Sequence, residues 1–291
     1  MRIALITADP GHPLLAAVTA LLTPRHQVEV LDPGKDHGAH LTEPPAPGDL
    51  ADVFLLKART PRALALAARL EESGATVINP AAATARCQDR VTMADLARSA
   101  GLPFAGTRYV PTLGRLAAEP GTPGTPLVVK SRHSRRGDLV ARTDGAAQLR
   151  ALTERWADEP VVVQEFTANS GWDHKLWVVD GRLFAARRRS ELAPEGRGPT
   201  LPLAVRDLPA QWTEAALRVG EVFDLAVYGV DILDAGGGAP LIVDINAFPG
   251  IRGQAGAPAA LAELALRSAR RDAPGQVANK SFTNAPPVSA S

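Results

Sequence analysis

Cysteine is almost absent from this chain of 291 residues: Cys87 stands alone. A single cysteine excludes an intramolecular disulfide and a cysteine-rich zinc site, and it fits a reducing compartment. Charge of one sign is missing as well. The 32 Lys and Arg are balanced by 31 Asp and Glu to a formal net charge of +1, so nothing global points to nucleic acid and any basic function is local. No run approaches the roughly 18 apolar residues of a membrane-spanning helix. The start MRIALITADPGHP lacks the cationic lead, long apolar core and small-residue cleavage site of a signal peptide. These absences lead to an expectation of a cytoplasmic protein without membrane or nucleic-acid partners. His12, His26, His37, His40 and His174 show no zinc-site spacing. There is no nucleophile-elbow pattern, and Ser131 and Ser134 have no recognisable base partner.

What is present is a hydrophobic fraction of 45%, enough for a sizeable core in one large domain or two to three small ones. RIALIT (2–7), LLAAVTALLT (14–23) and QVEVLD (27–32) read as strand, helix, strand. DVFLLK (52–57), RALALAARLEESG (62–74) and TVIN (76–79) continue the alternation, which implies a parallel sheet covered by helices. A helix over 89–100 ends at Gly101 with Pro103 just beyond. GRLAAEPGTPGTP (114–126) reads as a loop with at most one helical turn. PLVVKS (126–131) and PVVVQEF (160–166) are strands flanking a basic loop and a helix near 145–157. KLWVVDGRLFAARRRS (175–190) is a hairpin turning at Asp180-Gly181. A helix over 211–224 and another over 261–272 complete the pattern, and the Pro/Ser/Asn-rich tail from Ala273 has a disordered composition.

The stretch GVDILDAGGGAPLIVDINAFPG (229–250) places two aspartates and an asparagine among apolar residues around a glycine-rich turn. Taken as two strands of period two, Asp231, Asp244 and Asn246 share one face, while Val230, Ile232, Val243 and Ile245 share the other. An antiparallel pair centred on the turn sets Asp231 opposite or nearly opposite Asp244. Like charges across a sheet destabilise it. A hard divalent cation with oxygen ligands, most plausibly Mg²⁺ shared with a phosphate-bearing substrate, relieves that repulsion; a solvated sheet face with turn-flanking polar residues is the plainer alternative.

IVDINAFPGIRG resembles the closing metal-binding motif of the ATP-grasp superfamily: an acidic residue, a hydrophobic residue, Asn, two positions, then Pro-Gly. The resemblance runs in order over roughly residues 76–254. VINPAAATARCQDRVTMADLARSAGLPFAGT is similar to the entry into that family's nucleotide-binding half, PLVVKS to its phosphate-binding strand, VVVQEF to its adenine-binding hinge, and GVDIL to its first metal aspartate. It implies an α/β (α+β) ATP-grasp fold with an N-terminal βαβ domain over 1–85, a central small domain over 86–165, a C-terminal domain with the metal site over 166–272, and the tail 273–291.

The resemblance also implies roles. Lys130 becomes the cation on the ATP phosphates, Gln164, Glu165, Phe166 and Thr167 the adenine hinge, Asp173 the ribose-binding acid, and Asp231, Asp244 and Asn246 the Mg²⁺ ligands. Arg90 falls where relatives carry a phosphate-contacting lysine. In ARRRS (186–190), alternation puts Arg187 and Arg189 on one side and Arg188 on the other, and Arg189 matches the clamp on the transferring phosphoryl group. Two departures stand out. The loop SRHSRRGDLV keeps only Gly137 of a glycine-rich flap and carries Arg132, His133, Arg135 and Arg136 instead, which either grip an anionic substrate or form a solvated basic loop. The Arg/Asn pair of glutamate-adding relatives is not evident in LAPEGRGPT (192–200), where only Arg197 falls near it.

Length and layout are most similar to the RimK-like and glutathione-synthetase branch. That implies a carboxylate–amine ligase working through an acyl phosphate, with ATP and Mg²⁺, on small-molecule or peptide carboxylate and amine substrates; an oligomer is compatible. Asp244, where ligases more often have Glu, together with Lys175 in DHKLWVVDG, is also similar to the inositol trisphosphate 5/6-kinase branch. A nucleotide-binding protein without catalysis is the third alternative.

Overall fold

The computed structural model describes residues 1–35, 48, 50–119, 125–190, 192–193 and 198–271. The tail from Ala273, His37, His40 and Arg197 lie outside the described residues. Three sheets organise the rest. The first holds β1 (Arg2–Ile6), β2 (Gln27–Leu31), β3 (Val53–Leu56) and β4 (Val77–Ile78), all parallel, in the order β2-β1-β3-β4. Alternate residues of β1 enter different cores. Ile3 and Leu5 pack with Leu14, Leu15 and Val18 of α1 (Pro13–Leu22), and Ala4 and Ile6 with Ala63, Leu66 and Leu70 of α2 (Pro61–Glu72). Burial on both faces is why these strands are continuously apolar rather than alternating. Each helix starts on a proline, whose missing N–H costs nothing there. His12 and Thr60 accept hydrogen bonds from Leu14 N and Ala63 N as N-caps.

After α3 (Ala81–Arg86) and α4 (Arg90–Ser99), the latter capped by Asp89, comes an antiparallel sheet of order β5-β8-β6-β7. It comprises β5 (Thr107–Val110), β6 (Leu127–Ser131), β7 (Val140–Thr143) and β8 (Val161–Glu165). Helices α5 (Leu113–Ala118) and α6 (Ala146–Trp156) close one face through Leu113, Leu116 and Leu149. The third sheet, order β11-β10-β9-β12-β13, comprises β9 (Trp172–Val179), β10 (Arg182–Arg189), β11 (Thr200–Leu203), β12 (Val227–Asp234) and β13 (Pro240–Ala247). One face packs Leu176, Val178, Val230, Ile232 and Ile245 against Trp212, Ala216 and Val219 of α7 (Ala210–Phe223). The other face carries Trp177, Val179 and Val227 into a core shared with α8 (Ala257–Arg271), α1 and β1. Among the described residues no helix is long and apolar enough to cross a membrane.

The Asp180-Gly181 turn has φ of 49° and 76° at the two residues, the paired positive values of a type I′ hairpin. Elsewhere the structure differs from the sequence reading. A six-residue helix, α5, forms within the glycine- and proline-rich stretch, because Thr112 caps it at Arg115 N and Gly114 N donates to Ala157 O at 2.8 Å. Helix α8 starts at Ala257, ahead of the LAELA run. Strands β5, β7 and β11 went unanticipated: each is a four-residue edge strand, too short for alternation to register.

Asn79 ties the first sheet to the third. It is fully buried, donates Nδ2 to Val227 O at 2.7 Å, and accepts at Oδ1 from Ala226 N and Val227 N at 2.8 and 2.9 Å. This clamp fixes the start of β12. Asn79→Ala leaves buried peptide groups unpaired and is expected to lower unfolding free energy by about 2–4 kcal/mol, measured by urea denaturation. A loss below about 0.5 kcal/mol would show that Asn79 does not hold the start of β12.

Candidate functional site

Asp231 on β12 pairs directly with Asp244 on β13, and the ladder slips immediately after Asp231. The expected opposition of two carboxylates is therefore the register of the sheet. Asn246, two residues on, donates Nδ2 to Asp244 Oδ2 at 3.1 Å, and its Oδ1 accepts from Arg59 Nη1 at 3.4 Å. Glycine at 229 suits the close passage of β12 beside Trp177 and Pro249, since a Cβ there would lie 3.0 Å from Trp177 Cδ1 and 3.2 Å from Pro249 Cγ. Phe248, buried with φ of 44°, takes the left-handed conformation that a bulky residue adopts only under constraint from its surroundings.

Cations surround the pair. Lys175 lies across the ladder from Asp231 on β9 and donates Nζ to its Oδ2 at 2.5 Å, with Asp173 Oδ2 at 3.7 Å. Arg90 Nε sits 3.8 Å from Asp244 Oδ1, while its Nη1 donates to Ser131 O and to Asp138 Oδ2. Lys130, on β6 of the facing sheet, donates Nζ to Val243 O at 2.8 Å. Burial pulls the Lys130 ammonium down to about 8 against the opposing field of Asp244. Burial raises the Asp231 carboxyl, Lys175 opposes the rise, and Asp244 adds to it. Lys175 is the cation most closely engaged, and the signal for it was its place two residues after Asp173 on an alternating strand.

A cavity of about 980 Å³ opens between the second and third sheets and reaches the first. It is lined by Lys130, Arg90, Gln164, Glu165, Phe166, Thr167, Asp173, Asp231, Asp244 and Asn246, so the anticipated site residues come together there. Gln164 donates Nε2 to Thr107 Oγ1 at 3.0 Å, Phe166 N donates to Pro126 O at 2.9 Å, and the Arg142 guanidinium lies 4.0 Å above the Phe166 ring. The arginines of β10 alternate. Arg187 and Arg189 both sit over Trp172 at 4.8 and 5.3 Å, whereas Arg188 is paired with Asp173 in the ladder. Both Arg188 and Arg189 line the cavity; Arg188 is the one that sequence reasoning passed over.

The basic loop after Lys130 does not converge on this cavity. Arg132 is held by Asp89 at 2.6 Å and Arg135 by Glu159 at 2.7 Å. Among the described residues no group of three or more His, Cys, Asp or Glu is placed to hold a metal ion. The groups brought together are two carboxylates and the Asn246 carboxamide, whose Nδ2 is turned to Asp244 and whose oxygen meets Arg59. They fit Mg²⁺, which keeps water and shares substrate phosphates instead of requiring an all-protein cage.

Residues 121–260 match the family model of the RimK-like ATP-grasp domain. A probable alpha-L-glutamate ligase of Thioalkalivibrio sulfidiphilus is 30% identical over 197 residues, 64% of each chain; the chain thus spans less than two thirds of that relative's length. Another probable alpha-L-glutamate ligase, from Xanthomonas euvesicatoria, is 29% identical over 273 residues, covering 85% of this chain and 91% of the relative. Among solved structures, a RimK domain ATP-grasp protein from Sphaerobacter thermophilus has the same fold, with a TM-score of 0.72 at 23% identity over 91% of this chain and 99% of that one.

Removing the Lys175 ammonium leaves Asp231 facing Asp244 and Asp173 without its contact partner. Lys175→Met is expected to cost roughly 2–4 kcal/mol at pH 7 in EDTA. A carboxyl whose pKa is raised in the fold stabilises less as pH climbs past its unfolded value. The loss is therefore smaller at pH 4 than at pH 7, as denaturant titrations at both values would show. An equal loss at both would contradict this role.

Proposed function

We propose that this chain, whose residues 121–260 match the RimK-like ATP-grasp domain model, is an ATP-dependent ligase that joins a carboxylate to an amine. The observation that carries the reading is the meeting of buried Lys130 with the strand that bears Asp244, opposite Asp231, in one cavity that Gln164, Glu165, Phe166 and Thr167 also line. In this reading Gln164, Glu165, Phe166 and Thr167 hold the adenine, Asp173 the ribose, and Lys130 and Arg90 the phosphates, the lysine acting as a point charge. Mg²⁺ would be held by Asp231, Asp244 and Asn246 and would supply neutralisation of phosphate oxygens.

The donor carboxylate oxygen attacks the γ-phosphorus and ADP leaves. The amine then attacks the acyl carbon and phosphate leaves. Arg189 steadies the transferring phosphoryl group in this scheme, and preorganised cations of this kind provide most of the stabilisation such a transfer needs. Arg188, on the face of Asp173, extends the same positive wall. Glutamate is the amine to try first, since both relatives bear the name probable alpha-L-glutamate ligase. Under the kinase alternative the basic loop could hold substrate phosphates, but its Arg132 and Arg135 are engaged by Asp89 and Glu159.

Mass spectrometry of products from ATP, Mg²⁺, and pooled carboxylates and amines tests the reading. The expected product has the mass of two substrates less water, with ADP formed; one substrate bearing an added phosphate would make the protein a kinase. Asp231→Ala is expected to abolish this Mg²⁺-dependent turnover, and unchanged turnover would remove Asp231 from the metal site. A pH dependence also follows from Lys130. The free protein loses this proton above about 8, whereas bound triphosphate holds it. Calorimetric ATP affinity is therefore expected to fall between pH 7 and 9, by up to about tenfold per unit above 8. Lys130→Met weakens binding and flattens that slope; parental affinity in the variant would exclude Lys130 from the phosphate site.

A further inference from the structure

The cavity does not end at the carboxylate pair. It continues past Asn246 to the first sheet, where His12, Lys57, Pro249, Gly250 and Arg252 form its wall. The topology explains why side chains meet there. In the order β2-β1-β3-β4, the chain leaves β1 toward one edge and β3 toward the other, so the segments following these two strands diverge and leave a crevice at their carboxyl ends. His12 follows β1 and Lys57 follows β3. Lys57 N and Ala58 N both donate to Ile6 O, at 3.1 and 3.0 Å, which holds the two segments together at the mouth.

The chemistry of this end is one-sided. Burial pulls the Lys57 ammonium down to about 8, and Arg59 and Arg252 push the same way against Asp9. Among the described residues neither Lys57 nor Arg252 is in an ion pair. His12 adds a neutral donor: its Nδ1 accepts from Leu14 N at 3.2 Å, so the proton of the neutral ring is on Nε2. Burial and Lys57 lower the His12 pKa, which favours that neutral form. Nε2 faces Gly250, where an added Cβ would lie 2.7 Å away, so only glycine lets the imidazole sit against the turn. Arg59 connects the cluster to Asn246. On the neighbouring wall Asp231 and Asp173 share Lys175, and Asp138 and Asp244 share Arg90; Asp9 is the acid whose field reaches Lys57 and His12. A concave, partly desolvated group of cations with so little compensating acid favours an anion.

We propose that Lys57, Arg252 and the Nε2–H of His12 form a carboxylate-binding subsite, which holds a second, non-reacting carboxylate of one ligation partner. The guanidinium offers a two-point grip on a carboxylate and the ammonium a point charge. The protein accordingly selects an amino acid or diacid that keeps one free carboxylate throughout the reaction. This inference rests on the ligase reading for the reaction, though not for the binding.

Calorimetry on the full chain separates the two. L-glutamate, glutarate, L-alanine, n-butylamine and inorganic phosphate are titrated with and without a non-hydrolysable ATP analogue and Mg²⁺. At least one carboxylate probe is expected to bind, n-butylamine and phosphate binding at least tenfold more weakly. Lys57→Met and Arg252→Gln should each weaken the carboxylate probe tenfold or more while analogue affinity stays within twofold. Arg252 is exposed, so its variant keeps the test open should Lys57→Met fail to fold. Absence of binding by every carboxylate probe, tighter binding of phosphate, or unchanged affinity in the variants would overturn the subsite. Failure of the parent protein to bind the analogue would count against the ATP-dependent reading alone.

Discussion

The structure depends on the opposition of Asp231 and Asp244 across a sheet whose far side is hydrophobic core. Two facing carboxylates repel and lose hydration together, so the fold persists only with positive charge placed around them. Three elements deliver it: β9 brings Lys175 beside Asp231, the start of α4 brings Arg90 toward Asp244, and β6 brings Lys130 over the backbone of β13. Each of these cations comes from a segment otherwise fixed by burial. The charge arrangement is thus a product of the cores that hold the sheets.

The same logic extends to the first sheet. Its contact with the third passes through a shared apolar core and through Asn79, whose side chain completes the backbone hydrogen bonding at the start of β12. That attachment sets the ends of β1 and β3 against the turn that follows β13, so Lys57 and His12 face Arg252 and Gly250. One cavity consequently has two regions, one of interleaved cations and carboxylates around the pair and one of cations beyond Asn246. A ligand with several anionic groups fits such a cavity, and a ligase with two substrates and a triphosphate has that need.

Much of this was legible in the sequence, for reasons of periodicity. Period two in VYGVDIL and LIVDIN put both aspartates on one face, and the glycine-rich turn between them set the register. Asp180-Gly181 gave its hairpin because the type I′ turn demands positive φ at both residues. Lys130 was readable as the polar end of an apolar strand. Lys175 was harder to weigh: a lysine on a strand looks like a solvated residue until the neighbouring strand is known to be β12. Arg188 was overlooked beside Arg189 because alternation separates the two without saying which face borders the cavity. The arginines of the loop after Lys130 looked available to a ligand, since Asp89 and Glu159, which hold them, are more than twenty residues away in the chain.

The proposed reaction activates a carboxylate by phosphoryl transfer within the charge arrangement around Asp231 and Asp244. It is tested most directly with an ¹⁸O-labelled carboxylate donor drawn from those that support turnover, by measuring the isotopic composition of the phosphate released. Transfer through an acyl phosphate moves one donor oxygen into each phosphate formed, and that labelled phosphate is the expected result. Unlabelled phosphate accompanying amide formation would rule out an acyl phosphate.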